Sequence, residues 1–358
     1  MKLFFDARYI ETTTQTGISR FSIELGRALS ELHDVTFLIH DSAQRQFLPK
    51  DAETLFIHAP TSVKEPFTAF VLNRYAPDVV FSPMQTMGAF GRKYKLILTL
   101  HDLIYYRHRT PPKQFNWLIR LGWRAYHATY IPQRIALNSA DVVATVSQTS
   151  KNDIIGEKLT KRSVIVTSNA PQQLREHLTQ AISITDTPKN LIYMGSFMEY
   201  KNVETLIKGL EYLPDHTLHL LSRIRPERQA ELEALIPKDA TVIFHNGVSD
   251  EEYAQLMAFS AILVSASFDE GYGIPVADAM ALGVPAVITD MPIFHEVAGD
   301  GALYFDPTNP EDYANKVKKA SHIATYKELS AKGITQSKTF SWTDSAKVLL
   351  KTAQSLVK

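Results

Sequence analysis

Cysteine is missing from this 358-residue chain, which removes disulfide scaffolds, thiolate-held zinc and thiol nucleophiles together. Net charge is missing too. The 38 Lys and Arg balance 38 Asp and Glu, so the overall charge gives no argument for a nucleic-acid-coating protein. No apolar run nears the roughly 20 residues that a membrane span needs. The opening Met1-Lys2-Leu3-Phe4-Phe5-Asp6 ends a short apolar run with a charge, unlike a secretory signal. A Gly-x-Gly-x-x-Gly after the first strand-like run is also lacking, which argues against a nicotinamide dehydrogenase. A cytoplasmic protein is the expectation, with two domains at roughly 100–200 residues each.

What is present is an alternation of short apolar runs and helical patterns, the signature of βα units and parallel sheets. Strand-like runs cover residues 2–5, 34–39, 54–57, 78–82, 95–100, 141–146 and 163–167, then 190–194, 217–221, 241–245, 261–266, 286–289 and 302–305. Several are continuously apolar, as strands covered on both faces are. Ile18, Phe21, Leu25, Ala28, Leu29 and Leu32 share one face of a first helix. Ser249-x-x-Glu252 is a capping box that starts another. Pro171–Lys189 is polar and aperiodic and reads as the link between domains 1–172 and 187–340. Residues 341–358 form an amphipathic helix with no strand after it, expected to cross back onto the first domain.

Residues 261–287 carry the most chemistry. A buried strand runs into the loop Phe268–Gly273 and then a helix near Pro275, where proline suits the first turn. Gly271 and Gly273 let backbone approach a ligand closely. The helix start aims N–H groups and its positive dipole end at the same spot, an arrangement able to hold a diphosphate without metal. Glu270 is placed to accept from sugar hydroxyls, and Asp278, one turn into the helix, from a ribose diol.

The run Glu270-Gly271-Tyr272-Gly273-Ile274-Pro275-x-x-Asp278, with Gly283-x-Pro285 after it, resembles the signature of family 4 retaining glycosyltransferases. That family has the GT-B fold, two Rossmann-like doubly wound α/β domains facing across a cleft. The family pattern is Glu-x7-Glu, and this chain has Asp278 as its second acid. The resemblance extends along the chain. Asp6-x-Arg8 with Thr16-Gly17-Ile18 is similar to the N-terminal loop and first helix, with Gly17 its only glycine. His101 in Thr99-Leu100-His101-Asp102 matches a histidine that approaches the donor sugar. Gly195-Ser196-x4-Lys201 matches a Gly-Arg-x4-Lys segment, so Lys201 would bind the diphosphate. Ser196 replaces the usual arginine, a charge that Arg223 or Arg225 would have to supply. Val248 lies where the nucleobase packs.

The resemblance implies residues 1–172 as the acceptor-binding domain and residues 187–340 as the nucleotide-sugar domain. It implies transfer of a hexose with retention, catalysed by Glu270, Lys201 and His101. Gly17, Ser196, Arg223, Val248, Gly271, Tyr272, Gly273, Ile274 and Asp278 would bind the donor. GDP-mannose is the expected donor ahead of a UDP-sugar, the acceptor a glycan or lipid-linked glycan, and no cofactor is implied. The chain has no Asp-x-Asp, which disfavours the metal-dependent alternative fold of glycosyltransferases. Glu270 and Asp278 flank one side of one site, unlike the opposed carboxylates of a glycosidase. A sugar-nucleotide epimerase of the same fold and a non-catalytic two-lobed sugar-binding protein remain the alternatives.

One feature comes from the residues alone. Arg107–Arg134 holds Arg107, Arg109, Lys113, Arg120, Arg124 and Arg134, no acid, and the interleaved aromatics Phe115, Trp117, Trp123, Tyr126 and Tyr130. Such a segment suits an anionic membrane surface or a pyrophosphate-linked lipid acceptor, which would bring the chain to the inner face of the membrane. A solvated basic face with its aromatics in the core is the other reading. Nucleic acid is not expected, because the rest of a neutral chain must carry a net charge of −6.

Overall fold

The computed structural model describes residues 1–13, 16–111, 117–178, 187–259 and 261–358. The chain divides into two compact units, Met1–Asn169 with Ser341–Lys358, and Ala170–Phe340. Each is built on one sheet of parallel strands.

Unit 1 holds β1 (Leu3–Asp6), β2 (Val35–Ile39), β3 (Glu53–Phe56), β4 (Val79–Ser82), β5 (Lys95–Thr99), β6 (Val142–Thr145) and β7 (Ser163–Val166), in the order β3-β2-β1-β4-β5-β6-β7. Register sets Phe5 beside Phe37 on one side and Phe81 on the other, with ring centroids 5.6 and 5.1 Å away. All three rings are fully buried, so a one-residue slip would expose a row of large side chains. The helix Gly17–Ser30 buries Phe21, Leu25, Ala28 and Leu29. Gly26 sits where an added Cβ would lie 2.9 Å from the Phe37 ring, so helix and sheet meet more closely there than alanine allows. Leu32 lies past the end of this helix and is exposed, so the apolar face is one turn shorter than the sequence pattern indicates.

The C-terminal helix Trp342–Leu356 belongs to unit 1, burying Ala346, Leu349 and Ala353 beside the first helix. Its Ser345 Oγ donates to the Ser168 carbonyl at 2.7 Å. At its start Trp342 meets Phe21 edge-on at 6.0 Å.

Unit 2 holds β8 (Asn190–Tyr193), β9 (Thr217–Leu220), β10 (Thr241–Phe244), β11 (Ala261–Ser265), β12 (Ala286–Thr289) and β13 (Ala302–Phe305), ordered β10-β9-β8-β11-β12-β13. Its start takes in Pro171–His177, which the sequence pattern assigns to a link. There Leu174 is buried and Arg175 donates to the Ala281 carbonyl at 3.0 Å. Residues 179–186 of that stretch lie outside the described residues.

In both sheets the winding reverses once, between β1 and β4 and between β8 and β11. In an open parallel sheet, helices leave such a point on opposite faces and a crevice opens beyond the carboxyl ends of the two strands. The topology thus fixes where unit 2 can hold a ligand, in the segments that follow β8 and β11.

Candidate functional site

The segment after β8 carries Lys201 and the segment after β11 carries Glu270. Their side chains meet: Lys201 Nζ donates to Glu270 Oε1 at 2.6 Å, with about one seventh of each side chain exposed. Ser267 Oγ donates to the same oxygen at 2.8 Å, while Glu270 Oε2 accepts no bond from the described residues. The two loops are also joined through backbone, Phe268 N–H to the Tyr200 carbonyl at 2.8 Å.

Asn202 makes this juxtaposition rigid. It adopts the left-handed conformation (φ 49°), which Asn tolerates better than most residues. Its amide donates to the carbonyls of Ala266 and Pro307, at 3.1 and 2.8 Å, stitching the β8 loop to the ends of β11 and β13. Thr205 Oγ1 backs it with a 3.0 Å contact to Asn202 Oδ1.

Beyond Glu270, Gly273 turns the chain with φ 92° into the helix Ile274–Leu282, which has Pro275 in its first turn. A side chain at Gly273 would be strained by that φ and would meet the Phe294 ring at 2.8 Å. The first N–H groups of a helix have no acceptor within it. A cation, a carboxylate with one free oxygen, and a helix start therefore share the reversal point of this sheet.

Other expected donor residues differ in what they can offer. Tyr272 is buried with its ring edge-on to Phe340 at 5.7 Å, so only its backbone is available to a ligand. Asp278 is buried as well. Its carboxylate accepts from the Gln172 N–H at 2.9 Å and from the Gln172 side-chain amide at 2.7 Å, so it holds Gln172 where a ribose was expected. Ser196 and Arg223 are exposed, and Val248 is half-buried just before the Ser249 cap. Another arginine, Arg228, reaches the 195–201 segment. Its Nε donates to the Phe197 carbonyl at 3.1 Å, and Glu204 neutralises it at 2.6 Å.

In unit 1, Asp6-x-Arg8 is a buried ion network. Arg8 binds Asp6 at 2.7 and 3.0 Å and Glu65 at 2.6 and 3.0 Å, and Ser82 donates to Asp6 at 3.0 Å. The arginine remains protonated well above the usual range because two carboxylates face it. Gly17 is exposed and opens the first helix, which Thr16 caps. His101 contacts the Pro83 carbonyl through Nε2 at 2.8 Å and stands edge-on to Phe21 at 5.0 Å. Burial lowers its pKa from 6.5 to about 4, so it is neutral at pH 7. A carbonyl only accepts, so Nε2 carries the proton and Nδ1 is left as an acceptor.

The basic segment divides. Arg107 pairs with Asp153 at 2.7 Å, and Arg134 donates to the Glu157 and Lys158 carbonyls at 3.0 and 3.2 Å. The helix Trp117–His127 carries Arg120, Arg124 and Trp117 and has no fully buried residue. Lys113 and Phe115 lie outside the described residues. Among the described residues no cluster of three His, Asp or Glu is placed to hold a metal.

Comparison with known proteins decides the family. Residues 15–170 match the profile described as Glycosyltransferase Family 4, and residues 174–336 that described as Glycosyl transferases group 1. The chain belongs to the family 4 glycosyltransferases. This glycosyltransferase is 24% identical over 322 residues to the O-antigen chain mannosyltransferase RfbU of Salmonella typhimurium, covering 86% of this chain and 88% of that protein. It is 36% identical over 300 residues to the serotype-specific mannosyltransferase WbdA of Escherichia coli, covering 76% of this chain and 36% of that protein. Among solved structures, sucrose-phosphate synthase of Thermosynechococcus elongatus superposes with a TM-score of 0.74 at 15% identity, covering 99% of this chain and 98% of that one. Anabaena HepE, solved with UDP and glucose, gives 0.71 at 17% identity, covering 99% and 100%. At such identities the likeness shows the fold, and the glycosyltransferase has the GT-B fold.

The sequence pattern alone misses four residues of this site. Asn202 carried a faint signal, an Asn placed just before a helix. Gln172, Arg228 and Phe340 carried none, because their roles come from contacts made across tens of residues.

Proposed function

We propose that this glycosyltransferase moves mannose from GDP-mannose to a glycan or lipid-linked glycan, with retention at the anomeric carbon and without metal. The observation that carries a nucleotide diphosphate sugar as donor is the Lys201–Glu270 pair at the reversal point of the unit 2 sheet, beside the helix start at Ile274. In this reading Lys201 and the N–H groups of the Gly271–Ile274 turn hold the diphosphate. Glu270 Oε2 accepts from the sugar hydroxyls, and Oε1 keeps Lys201 in place. Val248 lies against the base, while Ser196 and Arg223 stand at the rim. In unit 1 the acceptor atom of His101, Nδ1, is matched to a sugar hydroxyl, and Gly17 opens a helix start at the corresponding end of that sheet.

The chemistry is a substitution at C1. The acceptor oxygen forms the new bond, the bond from C1 to the phosphate oxygen breaks, and the acceptor proton passes to the leaving diphosphate on the same face. Lys201 and the helix start stabilise the charge that grows on that phosphate, a role able to stand in for a metal. Mannose is supported by the relatives, since RfbU and WbdA are both named as mannosyltransferases.

The test is incubation with GDP-mannose and with UDP-glucose, with and without EDTA, in the presence of a lipid-linked glycan, followed by NMR of the product's anomeric coupling. Transfer from GDP-mannose that survives EDTA and retains the anomeric configuration is the expected result. Transfer only from UDP-glucose, or loss with EDTA, contradicts the donor or the metal assignment. Turnover of the donor with no acceptor contradicts transfer itself.

A further inference from the structure

The helix Trp117–His127 has two faces, and its aromatics divide between them. Inward, Trp123 and His127 pack edge-on to Tyr105, at 5.5 and 6.0 Å, and Tyr106 meets His127 at 4.9 Å. Tyr126 and Tyr130 lean on the cluster of Leu100, Leu103 and Leu137. On the helical wheel the opposite arc carries Trp117, Leu118, Leu121 and Ala125, flanked by Arg120 and Arg124. Trp117 is 71% exposed and Leu118 and Leu121 are each 60% exposed. The exposure continues into the next helix, Ile131–Asn138, where Ile131 and Ile135 are also exposed. Ile135 lines an open surface hollow together with Arg134, Asn138, Lys161 and Arg162.

The charges here are uncompensated. Among the described residues, Arg120, Arg124, Arg134, Lys161 and Arg162 have no carboxylate partner. Arg134 and Arg162 donate instead to main-chain carbonyls, which orient a guanidinium without cancelling its charge. No acid occurs between Asp102 and Asp141. A large apolar stripe left in water costs free energy, and cations on its flank match the negative potential of a bilayer rich in anionic lipid. An amphipathic helix with Trp and Leu outward and Arg beside them lies in the plane of such an interface. No helix among the described residues is long and apolar enough to cross a membrane, so the contact is a surface one.

We propose that the outward face of Trp117–His127, with the cations around the surface hollow at Arg134, docks this glycosyltransferase on an anionic lipid bilayer. The docking does not depend on which sugar nucleotide unit 2 takes.

Co-sedimentation of the full chain with vesicles tests it. Vesicles of phosphatidylcholine are compared with vesicles in which part of it is replaced by phosphatidylglycerol. The chain is expected to pellet with the second and to be released by high salt. Trp117→Ser with Leu121→Gln, and separately Arg120→Gln with Arg124→Gln, should each weaken binding by about tenfold or more. Both double variants should keep the wild-type circular dichroism and thermal midpoint, because the changed side chains are not buried. Equal binding to both vesicles, no binding to either, or unchanged binding in both variants overturns the proposal. A concentration-dependent dimer that Leu121→Gln dissolves, without vesicle binding, overturns it in favour of a second copy of this chain.

Discussion

Asp278 accepts from both nitrogens of Gln172, the main-chain one at 2.9 Å and the side-chain one at 2.7 Å. Gln172 is the third residue of unit 2, and Asp278 lies on the helix that follows the Glu270 loop. The last residue of the unit, Phe340, packs on Tyr272 of that same loop. The segments by which the chain enters and leaves unit 2 are therefore both fastened to the loop and helix proposed to hold the donor.

The Asp278 contact sets an order of stabilities. Asp278→Ala removes a buried charged acceptor from two donors and should cost about 2–3 kcal/mol, against about 1 for Gln172→Ala, which keeps the main-chain bond. Asp278→Glu restores the usual family acid yet should destabilise by about 1–3 kcal/mol, since a longer side chain at this buried position must displace the Gln172 contacts. Urea denaturation of the three variants checks the order. A neutral or stabilised Asp278→Glu would mean that Gln172 is not what fixes the acid's length.

The Arg8 network predicts a larger loss. Arg8 faces Asp6 and Glu65 at full burial, so Arg8→Met leaves two carboxylates without their cation. Breaking such a pair costs about 3–5 kcal/mol. Calorimetry on the variant should show the fall in unit 1, and a change under about 1 kcal/mol would show that the network is replaceable by apolar packing.

His101 gives a pH signature. Its pKa falls from 6.5 in an unfolded chain to about 4 in the fold, so between those values the unfolded state binds more protons. Its contribution is fully present above pH 6.5 and is lost as pH drops towards 4, at up to about 1.4 kcal/mol per pH unit. His127, His216, His219 and His245 are lowered by burial as well, so the wild-type curve sums several groups. The difference curve against His101→Gln isolates one. A flat difference between pH 4 and 6.5 would mean that His101 titrates as it does in water.

Much of the fold was legible because buried parallel strands are written as continuous apolar runs. Ala286–Thr289 and Ala302–Phe305 read from the sequence as they stand in the structure, and the other strands shift by a residue or two at their ends. Leu32 misled because a helical wheel does not show where its helix stops. In the site, Glu270 and Lys201 were visible as motif residues. The pairing of Asp278 with Gln172 was not, because a contact between residues 106 apart leaves no periodicity to read. Tyr272 looked like a ligand contact because of its neighbours, yet packing against Phe340 turns its ring into the unit. The aromatics of residues 117–130 read as one population and separate into two only when Tyr105 and Tyr106 are seen to claim one face.

Titration of GDP, GDP-mannose and UDP into the wild type, Lys201→Ala and Glu270→Ala, without metal and followed calorimetrically, tests the central claim most directly. Wild type should bind GDP-mannose more tightly than UDP. Lys201→Ala should lose roughly 10- to 100-fold in affinity for both GDP and GDP-mannose, through the lost diphosphate charge. Glu270→Ala should bind GDP nearly as wild type does and GDP-mannose more weakly, since Oε2 is assigned to the sugar. Unchanged affinities in both variants would contradict a donor site built on this pair.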